Sequence, residues 1–153
     1  MPDKRYDMRY YVIAGEPSGD LHGGKLMQQI AANDPEAEFR CTGGDTMAQI
    51  AGPGRLKYHY KEMSFFGFVQ VALNLRTIFS QIDEVKSDIA SFNPDVVILI
   101  DYPAFNLRIA KWAKSRGIKV YYYIAPKVWA WKERRVKKLR RYVDRLYTIF
   151  PFE

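Results

Sequence analysis

The residues best placed to do chemistry in this chain are acids that follow short apolar runs. Glu16 lies just beyond the run Arg9 to Ala14 (RYYVIA), inside the loop Gly15-Glu16-Pro17-Ser18-Gly19-Asp20. Asp101 closes the run Asp95 to Asp101 (DVVILID), immediately before Tyr102-Pro103. A carboxylate within hydrogen-bond reach of a hydroxyl can take its proton as a general base. Each acid also has a plainer reading: Glu16 as part of a solvated loop, Asp101 as the cap of a helix beginning near Phe105. Ser18, Asp20 and Asn106 read equally well as helix N-caps. The glycines of the first loop permit close backbone approach, and the helix N-terminus behind them attracts anions or hydroxyls. Their spacing does not fit the G-x-G-x-x-G of a dinucleotide site.

The elements that must position these groups alternate along the chain. Strands are expected at Arg9 to Ala14, Ala37 to Thr42, Leu56 to Tyr60, Asp95 to Asp101, Ile118 to Ala125 and Arg145 to Phe150. Helices are expected from about Asp20 to Ala32, Thr46 to Ala51, Phe68 to Phe92, Phe105 to Arg116 and Glu133 to Tyr142. In the long third helix, Val71, Leu75, Ile78, Phe79, Ile82, Val85 and Ile89 recur at helical spacing. The unbroken Val/Ile/Leu run before Asp101 suits a parallel strand covered on both faces. Strands separated by helices imply right-handed crossovers and a doubly wound, mostly parallel, Rossmann-like α/β sheet. Ligands then sit beyond the carboxyl ends of the strands, which points to Gly15 to Asp20, Asp101 to Asn106 and Pro126 to Lys132.

At 153 residues the chain suits one domain, expected over residues 8–153, and the end just past a strand reads as an interdomain boundary. Cys41 is the lone cysteine; it excludes a disulfide framework, agrees with a reducing compartment and reads as a buried thiol. The charged amino terminus lacks the apolar core of a signal peptide, and no run reaches the ~20 apolar residues of a membrane span. A cytoplasmic protein with at most peripheral membrane contact is expected. His22 and His59 are too isolated to suggest a metal site, and His22 is a candidate sugar contact.

The first loop, GEPSGDLHG after a hydrophobic strand, resembles the opening motif of the lipid-A-disaccharide synthases. Phe66-Gly67-Phe68-Val69-Gln70-Val71, Ile100-Asp101-Tyr102-Pro103-Ala104-Phe105-Asn106-Leu107 and Ala125-Pro126-Lys127-Val128-Trp129-Ala130-Trp131 are similar to further stretches of that family, in order and spacing. The resemblance extends from about Arg9 to Phe150-Pro151-Phe152-Glu153. It implies the amino-terminal half of a GT-B glycosyltransferase that joins UDP-2,3-diacylglucosamine to 2,3-diacylglucosamine 1-phosphate, giving lipid A disaccharide 1-phosphate and UDP. The half that holds most of the nucleotide-sugar site is expected outside these residues, so the chain alone is expected to be inactive.

Under that resemblance Asp101 is the expected general base, with Glu16 positioning the acceptor or assisting; the two roles are interchangeable at this level. Gly15, Ser18, Gly19, Asp20, Asn106 and Trp129 are expected substrate contacts. No cofactor or metal is implied, because fixed dipoles and basic side chains can stabilise the charge on departing UDP. The chain departs from the family at Ala104, where an Asp is common, at Gln70, a usual Glu, and at Ala125, a usual Ser.

Two surfaces suit an acylated, phosphorylated substrate. Phe65, Phe66, Phe68 and Val69 are expected to form an acyl groove or a membrane dip. Nine basic residues against two acids between Lys127 and Arg145 carry the whole net charge of +7, suited to an anionic inner-membrane face or simply a solvated helix. Two other classes fit less well. A nicotinamide or flavin protein lacks its Gly-rich fingerprint. A nucleic-acid-binding module would use the basic helix but brings no recognised motif, and no nucleic-acid partner is expected.

Overall fold

A computed structural model describes residues 8–63, 75–123 and 133–147, the side chains of 75 and 133–136 excepted. The elements run β1 (Arg9–Ala14), α1 (Pro17–Asn33), β2 (Glu38–Gly43), α2 (Asp45–Ala51), β3 (Leu56–His59), a 3-10 turn (Tyr60–Glu62), α3 (Leu75–Phe92), β4 (Val96–Ile100), α4 (Pro103–Ser115), β5 (Lys119–Tyr123), α5 (Glu133–Tyr142) and β6 (Arg145–Tyr147).

The six strands pair in parallel in the order β3-β2-β1-β4-β5-β6. This is the doubly wound, Rossmann-like arrangement expected from the alternation of elements, and it places the reversal of strand order between β1 and β4. The register is level there: Ala14 stands beside Ile100, and Ile100 beside Tyr123.

The period-2 alternation of strands divides the core into two layers. Val12, Ala14, Val96, Ile98 and Ile100 pack with Met27 of α1 and Met47 of α2. Tyr11, Ile13, Val97, Leu99, Val120 and Tyr122 pack with Ile78, Ile82, Val85 and Ile89 of α3, with Phe105, Ile109 and Ala113 of α4, and with Leu139 of α5. Every residue of β4 is buried, as its apolar run requires. Phe79 differs from the periodic expectation: it is 44% exposed, with the Arg108 guanidinium 5.1 Å from its ring centroid.

α1 and α4 begin earlier than expected, for one shared reason. Each opens with a proline in its first turn, Pro17 and Pro103, where a missing N–H costs nothing and φ is already helical. At the other end of α4, Gly117 takes φ +75°, the left-handed stop for which glycine is suited. On α5, Lys137, Lys138, Arg140 and Arg141 face outward around the buried Leu139. No described helix is long and apolar enough to cross a membrane.

Candidate functional site

The switch point brings two acid-bearing loops side by side. Because Ala14 pairs with Ile100, Gly15-Glu16 and Asp101-Tyr102 leave adjacent strand ends. Gly15 is where the loops meet: a Cβ there would lie 2.4–2.5 Å from atoms of the Tyr102 ring. Burial, and then the Glu16 charge, push the Tyr102 phenol well above the ordinary tyrosine range. Glu16 is thus within electrostatic reach of the turn that carries Asp101.

Glu16 is the N-cap residue of α1, extended at φ −154°, ψ 167°. Its half-buried carboxylate makes no capping bond and instead accepts from the exposed Ser18 hydroxyl at 3.1 Å. Asp101 and Tyr102 both adopt left-handed backbone, φ +47° and +52°, which disfavours side chains bearing a Cβ. Pro103 contributes, since it drives the residue before it out of the right-handed helical region. The Asp101 carbonyl accepts from the Asn106 amide at 2.9 Å and from the Tyr122 hydroxyl. Asn106 also donates to the Ile100 carbonyl at 3.3 Å.

Asn106 therefore lies inside the first turn of α4, fully buried, while Tyr102 occupies the N-cap position. Gly19 and Asp20 face inward as well. A Cβ on Gly19 would meet that of Ala14 at 3.1 Å, so this glycine lets α1 lie close on the sheet. Asp20 is 6% exposed and accepts from the backbone N–H groups of Gly44, Thr46 and Met47 at 2.8, 3.1 and 3.0 Å. It caps α2 from a neighbouring helix.

Gly15, Glu16, Ser18 and Asp101 are gathered at the strand ends, with Asn106 beneath them. Trp129, Phe65, Phe66, Phe68 and Val69 lie outside the described residues. Tyr102 and Tyr122 carry no functional signal in the sequence. The pairing of Gly15 with Tyr102 has no local signal, and nothing in the run of three tyrosines at 121–123 marks the middle one. Among the described residues no group of three or more His, Cys, Asp or Glu is arranged to hold a metal ion. Cys41 is buried, its thiol pushed up to about 12 by burial and then by the Asp20 charge.

The comparison with known proteins agrees with the motif reading. The model of the lipid-A-disaccharide synthetase family matches residues 10–153. A lipid-A-disaccharide synthase of Geobacter metallireducens is 44% identical over 145 residues, covering 95% of this chain and 37% of the relative. One of Coxiella burnetii is 39% identical over 142 residues, covering 93% and 37%. The chain thus spans a little over a third of the length of these relatives. In solved structures, UDP-GlcNAc 2-epimerase from Neisseria meningitidis bound to UDP-GlcNAc has a similar fold, with a TM-score of 0.61 at 11% identity over 92% of this chain and 40% of the epimerase.

Proposed function

The chain belongs to the lipid-A-disaccharide synthetase family, and from that premise we propose that residues 8–153 are the acceptor-side domain of an inverting glycosyltransferase. The reaction transfers 2,3-diacylglucosamine from UDP to 2,3-diacylglucosamine 1-phosphate. The acceptor's 6-hydroxyl attacks the anomeric carbon of the donor, a new C–O bond forms, and the bond to the phosphate oxygen breaks with its electron pair leaving on UDP. Asp101 takes the hydroxyl proton as that bond forms. Glu16 orients the acceptor or assists Asp101, and Ser18, which already bonds Glu16, completes that rim. Trp129 is assigned to the same cleft.

The observation that supports this reading is the juxtaposition of the two loops at the switch point, where α/β sheets bind their ligands. An acid follows each of the two adjacent strands, at the end of the sheet where a sugar hydroxyl would enter. The test is Asp101→Asn in a full-length synthase carrying these residues, with disaccharide formation as readout. Near-wild-type turnover would remove the base assignment.

The same reading assigns Phe65, Phe66, Phe68 and Val69 to acyl chains or to the membrane, and the outward cations of α5 to anionic headgroups at the inner face of the cytoplasmic membrane. Replacing Phe65, Phe66 and Phe68 with Ser should release the full-length protein from membranes. Unchanged partition rejects the apolar contact, and liposome binding insensitive to salt rejects the electrostatic one.

A further inference from the structure

Resting on the assignment of Asp101 as base, we propose that Asn106 and Tyr122 are positioning residues that hold Asp101 at the crevice. The residues of β4 alternate between the two layers of the core. Val97 and Leu99 enter the layer under α3 and α4, whereas Val96, Ile98 and Ile100 enter the opposite layer. An extended residue 101 would follow Val97 and Leu99 into that apolar layer. The left-handed turn at Asp101 and Tyr102 breaks the alternation, and Asp101 is half-buried at the strand end.

Such a turn persists only where its surroundings over-determine it. Two side chains converge on it. The Asn106 amide bridges the carbonyls of Ile100 and Asp101, and the Tyr122 hydroxyl reaches the Asp101 carbonyl from β5. Both side chains are fully buried, so their own orientations are set by packing. The Asn106 Oδ1 atom has no hydrogen-bond partner among the described residues. An apolar residue at this position would avoid the cost of that buried oxygen and would leave Asp101 unclamped. Neither side chain is assigned to the substrate; both act through the Asp101 backbone.

The test uses a full-length synthase and the variants Asp101→Asn, Tyr122→Phe and Asn106→Ala, alone and combined. Tyr122→Phe keeps the ring and removes one donor, so it carries the test even where Asn106→Ala does not fold. Displacing a base by a fraction of an ångström is expected to lower kcat roughly tenfold in Tyr122→Phe and about 100-fold in Asn106→Ala, with KM within about twofold. With the base already neutralised by Asp101→Asn, both effects should shrink to within about twofold, because residues acting through one group are not additive. Wild-type kcat in Tyr122→Phe, or an undiminished loss in the Asp101→Asn background, would overturn the positioning role and leave the base assignment intact. Near-wild-type turnover of Asp101→Asn would instead overturn the base assignment, and this inference with it.

Discussion

The loops after β1 and β4 each bring one acid to the switch point, but they hold it by different means. Glu16 sits on relaxed, extended backbone and its carboxylate is tied to an exposed serine, an arrangement that leaves the side chain free to follow a ligand. Asp101 sits on two successive left-handed residues whose carbonyl is gripped from α4 and from β5. Proton transfer requires a base fixed relative to the attacking oxygen, whereas binding a sugar tolerates adjustment. The contrast supports Asp101 as the base and Glu16 as the positioning acid, two roles that residue type alone left interchangeable.

The largest expected effect would break this comparison outright. In a full-length synthase, Asp101→Asn should lower kcat about 1,000-fold, whereas Glu16→Gln should cost only about tenfold and should raise KM as well. Steady-state rates of disaccharide formation decide it. The reverse ranking would exchange the two assignments.

Next in size is a test of the other acid in the first loop. Asp20 is buried and receives three backbone N–H groups at the start of α2, so Asp20→Ala leaves those donors exposed to an apolar interior. A loss of about 3 kcal/mol is expected, seen in urea unfolding. Glu16→Gln should cost less than about 0.5 kcal/mol by the same measurement. Similar losses for the two variants would mean that Glu16 also serves the fold.

Gly15→Ala then tests the contact between the loops. The added Cβ would sit 2.4–2.5 Å from the Tyr102 ring, and overpacking of this kind costs about 2 kcal/mol. With Tyr102→Ala in the background the same substitution should cost under about 0.5 kcal/mol, since the clashing ring is gone. An undiminished cost in that double-mutant cycle would place the strain elsewhere.

The parts of this site differ in how far the sequence discloses them. The strand ends were legible, because a change of hydrophobic period marks them within a few residues, and both acids follow from that. Helix starts are less legible, since a proline such as Pro17 or Pro103 signals a loop and a first helical turn alike. Strand order is legible only through the fold class: the doubly wound sheet implies that β4 lies beside β1, and nothing local states it. The side-chain contacts that cross between strands are hidden, including the meeting of Gly15 with Tyr102 and the reach of Tyr122 to Asp101. Asp20 shows the same limit. Its partners at Gly44, Thr46 and Met47 lie across a strand and a turn, so a conspicuous loop acid proved to be the cap of another helix.

The smallest effect bears on the electrostatic reach between the two loops. The Tyr102 phenol is raised by burial and further by the Glu16 charge. A group whose proton is held more tightly in the folded than in the unfolded chain gives its full stabilisation below the unfolded value, near 10 for tyrosine. That stabilisation is lost as pH rises from there through the folded value. Glu16→Gln removes the smaller of the two causes, so the folded phenol should titrate lower and the total loss should shrink. Parent and variant should lose stability together from about pH 10 and part in the variant's favour only where its lower folded value is reached, well above the ordinary tyrosine range, in thermal melts followed up that alkaline limb; Tyr102→Phe should abolish the difference. If the two proteins lose stability identically through the whole of that limb, the Glu16 charge does not act on Tyr102.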